Sequence, residues 1–185
     1  MWTDGKIENF VVQKIKLLYT DKPNLARLRR GVGKQIGELP ELIEYVLLPD
    51  SMTSVQEQFV SKAVYTALTL YALHQQGKSG CMCEFPADKG NVRKSVSFGT
   101  AVRKLCNENT RIAVTRRFER IMTSKDVLEL SIHSRSLISQ MRQKDIALDY
   151  GRFATDLYWF QQPKFRRLMI LQWGKDFYKE IKEDK

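Results

Sequence analysis

Residues 110–122 read TRIAVTRRFERIM, a spacing that predicts an amphipathic α-helix. On such a helix the apolar residues share one face: Val114, Phe118, Ile121 and Met122. Arg116 and Arg120 point nearly the opposite way, and Arg117 flanks them. The stretch therefore predicts a helix that buries one side in a core and offers cations to a polyanion on the other.

The formal net charge of the 185-residue chain is +10, and it lies almost entirely in the second half. Residues 1–90 hold 11 basic and 10 acidic side chains, whereas residues 91–185 hold 20 basic and 11 acidic ones. Such asymmetry indicates nucleic acid or an acidic membrane as a partner. A merely cationic surface would also explain the charge, but the helical spacing of the arginines favours nucleic acid.

Apolar periodicity predicts helices along most of the chain and few strands, and 43% apolar residues suffice for a globular core. The expected helices are 6–19, 25–30, 41–48, 53–76, 98–107, 110–122, 124–143, 149–161 and 165–182. We predict an all-α bundle of about eight to nine helices in two small subdomains. These are residues 1–76 and residues 98–185, which carry the main basic face, joined by an exposed, basic, Gly-containing loop, 77–97.

Several polar residues lie where helix ends are expected. Asn24, Thr123 or Ser124, and Asp149 are candidate N-caps. His74 ends the long helix of the first half, where a cation would favour the helix dipole.

Residues with catalytic or metal-binding chemistry are scattered. His74 and His133 have no metal-ligand spacing, and the cysteines, Cys81, Cys83 and Cys106, match neither a zinc site nor a disulfide framework. Asp145, Asp149 and Asp156 raise the alternative of a metal-dependent nuclease. We favour structural roles for them, since Asp149 suits an N-cap and Asp156 suits pairing with Arg152. We therefore expect no catalytic residue, metal or cofactor.

No apolar run in the sequence is long enough to span a membrane. The first residues also lack the cationic segment and apolar core of a signal peptide. These features predict a cytoplasmic protein.

Five segments, in order, resemble the CasB family, the small subunit of the type I-E CRISPR Cascade surveillance complex. They are LARLRRG at 25–31, VSFGTAV at 96–102, RRFERIM at 116–122, LDYGRFATDLYW at 148–159 and QWGKDFY at 172–178. Their order and spacing cover most of the chain. The loop that contains Cys81 and Cys83 departs from the family pattern.

The resemblance implies a non-catalytic helical protein that braces the R-loop, the guide RNA–target DNA hybrid together with the displaced DNA strand. Its implied partners are the other Cascade subunits, the CRISPR guide RNA, the target and displaced DNA strands, and a second copy of itself in a head-to-tail dimer. Nucleic-acid-binding residues that match the motifs are Arg29, Arg30, Arg116, Arg117 and Arg120.

Helix geometry adds Arg135 and Arg142, which lie seven residues apart on the far side of a predicted seam formed by Leu130, Leu137 and Met141. Loop residues Lys78, Lys89, Arg93 and Lys94 are further candidates for phosphate contact. We expect a small subunit that stabilises the R-loop through phosphate contacts. The alternative is a free-standing helical protein that binds RNA or DNA without sequence preference.

Overall fold

Nine helices form the described part of the computed structural model, which comprises residues 4–48, 54–85 and 96–179. They are α1 (Asp4–Leu18), α2 (Lys22–Arg29), a 3₁₀ helix (Pro40–Tyr45), α3 (Ser54–His74), α4 (Phe98–Arg103), α5 (Arg111–Met122), α6 (Val127–Gln143), α7 (Tyr150–Phe160) and α8 (Pro163–Tyr178). Within those residues there is no strand, only one isolated bridge between Cys83 and Leu148. The predicted all-α class is confirmed.

Helix α3 lies at the centre of the bundle. Residues 63–74 are buried all round the helix because α2, α6 and α7 pack against it, with further contacts from α1. The sequence pattern had predicted only one apolar face there. Buried side chains from every helix join one hydrophobic cluster that spans both sides of residues 77–97. The division into two subdomains stays a prediction.

Two glycines in the family-like segments allow helices to approach closely. A Cβ at Gly99 would collide with the main-chain carbonyl of Trp173, where α4 packs on α8. A Cβ at Gly151 would lie 2.7 Å from Glu8 Cγ, where α7 packs on α1. Glycine is needed at both places because a side chain would push the helices apart.

The helix caps correct two of the predicted starts. Asp21, not Asn24, caps α2, and its Oδ1 accepts from the Asn24 main-chain N at 3.1 Å. Asp126, rather than Thr123 or Ser124, caps α6 by accepting from the main-chain N of Glu129 at 2.8 Å. The Asp149 cap of α7 is confirmed, since Oδ1 accepts from the Arg152 main-chain N at 2.9 Å.

Two predicted electrostatic roles are wrong. His74 is fully buried, its Nδ1 lies 3.0 Å from the Tyr150 hydroxyl, and burial lowers its pKa to about 4. The ring is therefore neutral at pH 7 and supplies no cation to the end of α3. Asp156 does not pair with Arg152: it accepts from Trp173 Nε1 at 2.7 Å, whereas Arg152 lies 3.4 Å from Asp176 Oδ2.

Part of the 77–97 segment is packed into the fold rather than exposed. The Gln75 side chain holds it, donating to the Gly80 carbonyl at 2.8 Å and accepting from the Met82 main-chain N at 2.9 Å. Met82 and Cys83 are buried. Burial also raises the pKa of the Cys83 thiol, so this group stays protonated at pH 7.

The proposed cations of the loop fall into two groups. Lys78 lies 2.6 Å from Asp145 Oδ1, so its charge is already paired. Lys89, Arg93 and Lys94 lie outside the described residues. The loop therefore adds no unpaired cation to the described surface.

Candidate nucleic-acid interface

The predicted basic helix exists as α5, residues Arg111–Met122. Val114, Phe118 and Ile121 are buried, and the Phe118 ring stacks on Phe177 of α8 with centroids 4.5 Å apart. This packing fixes the rotation of the helix about its own axis. The opposite side therefore faces solvent.

Arg116, Arg117 and Arg120 are all exposed on that side. None of the three lies within ion-pair distance of a carboxylate in the described part of the chain. Glu119, the acidic residue among them, accepts from the Tyr178 hydroxyl at 3.3 Å. We call Arg116, Arg117 and Arg120 the α5 arginine face. Its charge is not neutralised by ion pairs within the described fold.

The first turn of α5 has a charge that is opposite to the one the helix dipole favours there. The helix begins with exposed Arg111 and has no acidic residue in its first turn. Cations near a helix N-terminus are disfavoured by the helix dipole. The position of Arg111 is thus not explained by the helix dipole, whereas Arg120 lies in the last turn, where the dipole favours a cation.

Arg135 lies on the exposed side of α6, opposite the buried seam that was predicted. Leu130, Leu137 and Met141 are each 0% exposed, so that seam is confirmed. Because α6 packs against α5, the Arg135 surface and the α5 arginine face lie on neighbouring helices.

Arg142, the second arginine predicted on α6, is half-buried and used within the fold. Its Nη1 donates to Gln76 Oε1 at 2.6 Å and to the Leu73 carbonyl at 3.5 Å. It therefore ties α6 to the C-terminal end of α3, where main-chain carbonyls lack helical partners. Its contact with nucleic acid stays a prediction.

Arg29 and Arg30 are adjacent in sequence but have different surroundings. Arg30 lies 3.5 Å from Glu41, which offsets part of its charge. Arg29 lines a cleft of about 510 Å³ between the α1–α2 turn and the end of α3. Gln76, the hydrogen-bond partner of Arg142, lines the same cleft.

The cleft also contains residues that the sequence did not single out. Lys22 and the 40% exposed Tyr19 line it together with Arg29. Lys22 is the first and Arg29 the last residue of α2, and their spacing carries no recognisable motif. Only the contact between α2 and α3 brings them to the end of α3.

Of the three carboxylates considered for a nuclease, Asp145 is exposed and pairs with Lys78, and the other two have structural roles inside the fold. Asp149 is buried and caps α7, and Asp156 is buried beneath Trp173. No group of three or more His, Cys, Asp or Glu residues is placed to hold a metal ion in the described portion. Among the same residues, no helix has the length and apolar character required to cross a membrane.

Comparison with known proteins identifies relatives of this fold and sequence. The family model for the CRISPR-associated protein Cse2 matches residues 24–178. The fold is similar to the crystal structure of CasB from Thermobifida fusca, with a TM-score of 0.74 and 25% sequence identity. The alignment covers 96% of this chain and 98% of that chain.

A second solved structure shares the fold, a Cse2-family CRISPR-associated protein from Thermus thermophilus. It is 17% identical with a TM-score of 0.62, covering 97% of this chain and 100% of that one. No curated protein gives a significant match.

Proposed function

Because the chain belongs to the CasB/Cse2 family of CRISPR-associated proteins, we propose that it is a non-catalytic small subunit of an RNA-guided surveillance complex in the cytoplasm. It binds the other Cascade subunits, the guide RNA, the target and displaced DNA strands and a second copy of itself. Its task is to hold phosphates of the R-loop and so slow the return of the displaced strand to its complement.

The observation that carries this proposal is the α5 arginine face. Its three guanidinium groups are exposed, have no carboxylate partner among the described residues and are held on a helix with a buried opposite side. Arginine donates in a fixed fork that suits phosphate oxygens. Each phosphate contact releases condensed counterions, which gives affinity without sequence preference.

Contact with the sugar-phosphate backbone of the nucleic acid also suits an RNA-guided complex. Sequence is read there by base pairing, so a supporting subunit has no need to read bases. The aromatic stripe of α7 agrees with this division of tasks, because Tyr150, Phe153 and Phe160 are fully buried and offer no stacking surface.

Charge reversal tests the proposal. The variant R116E/R120E is to be assembled into the complete complex, and its target-DNA affinity measured beside wild type. The matched control is K6E/K16E, which changes the net charge equally at two exposed positions of α1. We expect clear weakening with the α5 variant and little with the control. Equal affinity for all three complexes would contradict the assignment of this face.

The free-standing alternative is tested with the isolated chain in a gel-shift assay across a salt series. A subunit that depends on its complex for geometry and effective concentration should bind DNA weakly alone and lose that binding as salt increases. Tight binding by the isolated chain at physiological salt would favour the alternative.

A further inference from the structure

A cavity of about 350 Å³ lies apart from the α5 arginine face. It opens between α3, the start of α6 and the connection from α7 to α8, with the segment after α2 at its edge. Its volume falls at the low end of the range for small-ligand sites. The residues that define its character are Lys34, Phe59, Lys62, Lys125, Phe160 and Arg166.

The lining of the cavity is positively charged. Lys34, Lys62 and Lys125 are exposed, and none lies within ion-pair distance of a carboxylate among the residues that the structure covers. Among the described residues that line it, Asp126 is the one acidic residue, and its Oδ1 already accepts from the Glu129 main-chain N. The cavity should therefore attract an anionic ligand, with little electrostatic repulsion from the residues that line it.

Arg166 supplies a flat, fixed cation at this wall. It donates to the main-chain carbonyls of Ser124 and Lys125, and its guanidinium carbon lies 4.2 Å from the centroid of the Phe160 ring. These contacts hold the guanidinium plane but leave its charge without a carboxylate. A held guanidinium offers a planar face on which an aromatic ring can stack.

Phe59 adds an aromatic ring to the same lining. It is half-buried on α3, one turn before Lys62 on the same helix. Flat aromatic and guanidinium groups next to several lysines suit a ligand that has both a ring and an anion. A nucleotide has both, whereas a carboxylate side chain of an acidic peptide has only the anion.

We propose that this cavity binds one nucleotide of a single-stranded nucleic acid, with its phosphate on the lysines and its base against Arg166 and Phe59. This proposal rests on the proposed function, because it adds a second site, apart from the α5 arginine face, at which the subunit holds a nucleic-acid strand. Lys34, Lys62 and Lys125 lie far apart in sequence, so only the fold brings them together.

The test compares two probes with the full chain at low salt. One is a short fluorescein-labelled oligothymidylate, and the other is an abasic oligonucleotide with the same number of phosphates. Fluorescence anisotropy should show at least about fivefold tighter binding of the oligothymidylate, the lower limit for stacking of one base. Equal affinities, both weakened by R116E/R120E, would overturn the nucleotide site and leave the proposed function intact. No binding of either probe would overturn the nucleotide site, whereas the proposed function is decided by the R116E/R120E test in the complete complex.

Variants locate the effect in the cavity. Phe59→Leu keeps apolar volume and the main-chain carbonyl that accepts from Gln161 Nε2 at 2.9 Å, and it should reduce the preference for bases. The substitution K62A/K125A should weaken both probes more than the control K6A/K16A does. A preference for bases that survives Phe59→Leu unchanged would contradict stacking on that ring.

A measurement on the unaltered chain guards against variants that fail to fold. The wild-type chain is mixed with an oligonucleotide that carries 4-thiothymidine, and the complex is irradiated. The crosslinked peptides are then identified by mass spectrometry. We expect crosslinks within the segments that line the cavity, residues 34–36, 59–66, 125–128 and 160–166. Crosslinks found exclusively elsewhere would overturn the proposal.

Discussion

Trp173 Nε1 donates to Asp156 Oδ2 at 2.7 Å, joining α8 to α7 inside the core. Trp173 is fully buried and Asp156 is 6% exposed. Burial raises the pKa of Asp156 to about 7 from an ordinary value of 3.8, although the indole donor acts in the opposite direction. The core thus contains a carboxyl group that titrates close to neutral pH.

Asp156→Asn should change how stability depends on pH. Between about pH 4 and 7 the folded chain keeps a proton on Asp156 that the unfolded chain loses, so this group costs stability as pH rises. The Asn side chain does not titrate, so the stability of the variant has no such dependence on pH at this position. Relative to wild type, it should therefore gain stability from pH 4 to pH 7, on the order of 1 kcal/mol or more. Urea unfolding at several pH values measures this; parallel profiles for the two chains would contradict it.

His74→Gln should reveal the opposite dependence. The folded pKa of His74 is about 4 and its ordinary value is 6.5, so acid protonates the unfolded chain first and stability falls as pH drops through that window. The Gln side chain amide can donate to or accept from the Tyr150 hydroxyl, which lies 3.0 Å from His74 Nδ1. Relative to wild type, the variant should therefore become more stable as pH falls from 6.5 to 4, by urea unfolding. A constant difference between the chains would show that His74 is not held neutral.

Arg142→Ala should destabilise the fold, whereas Arg135→Ala should not. The first removes the 2.6 Å bond to Gln76 and the contact with the end of α3, which costs about 1 kcal/mol. The second truncates an exposed side chain on the same helix, where changes stay within about 0.5 kcal/mol. Chemical unfolding of both variants provides the comparison. Equal free energies of unfolding would contradict a structural role for Arg142.

The α5 arginine face could be predicted from sequence because helical periodicity depends on nearby residues alone. Val114 and Phe118 are buried and Arg116 is exposed, as their spacing indicates. The Asp149 cap was equally local, since its side chain bonds a main-chain N three residues ahead.

Features that depend on distant contacts escaped the sequence pattern. His74 is neutral because Tyr150 and its neighbours cover it, 76 positions along the chain. Arg142 has the spacing of a surface residue, yet Gln76 lies within reach only after α3 and α6 pack. The cavity beside Lys62 likewise exists only once α6, α7 and α8 are in place.

The slope of target-DNA affinity against salt tests the central claim most directly. The complete complex is assembled with R116Q/R120Q, which removes two charges from the α5 arginine face without reversing them. Each lost phosphate contact should reduce the slope of log K against log salt by about 0.9 for duplex DNA or 0.7 for single strands. We therefore predict a slope shallower than wild type by about 1.4 to 1.8. An unchanged slope in an intact, fully assembled complex would contradict the claim that these arginines hold phosphates.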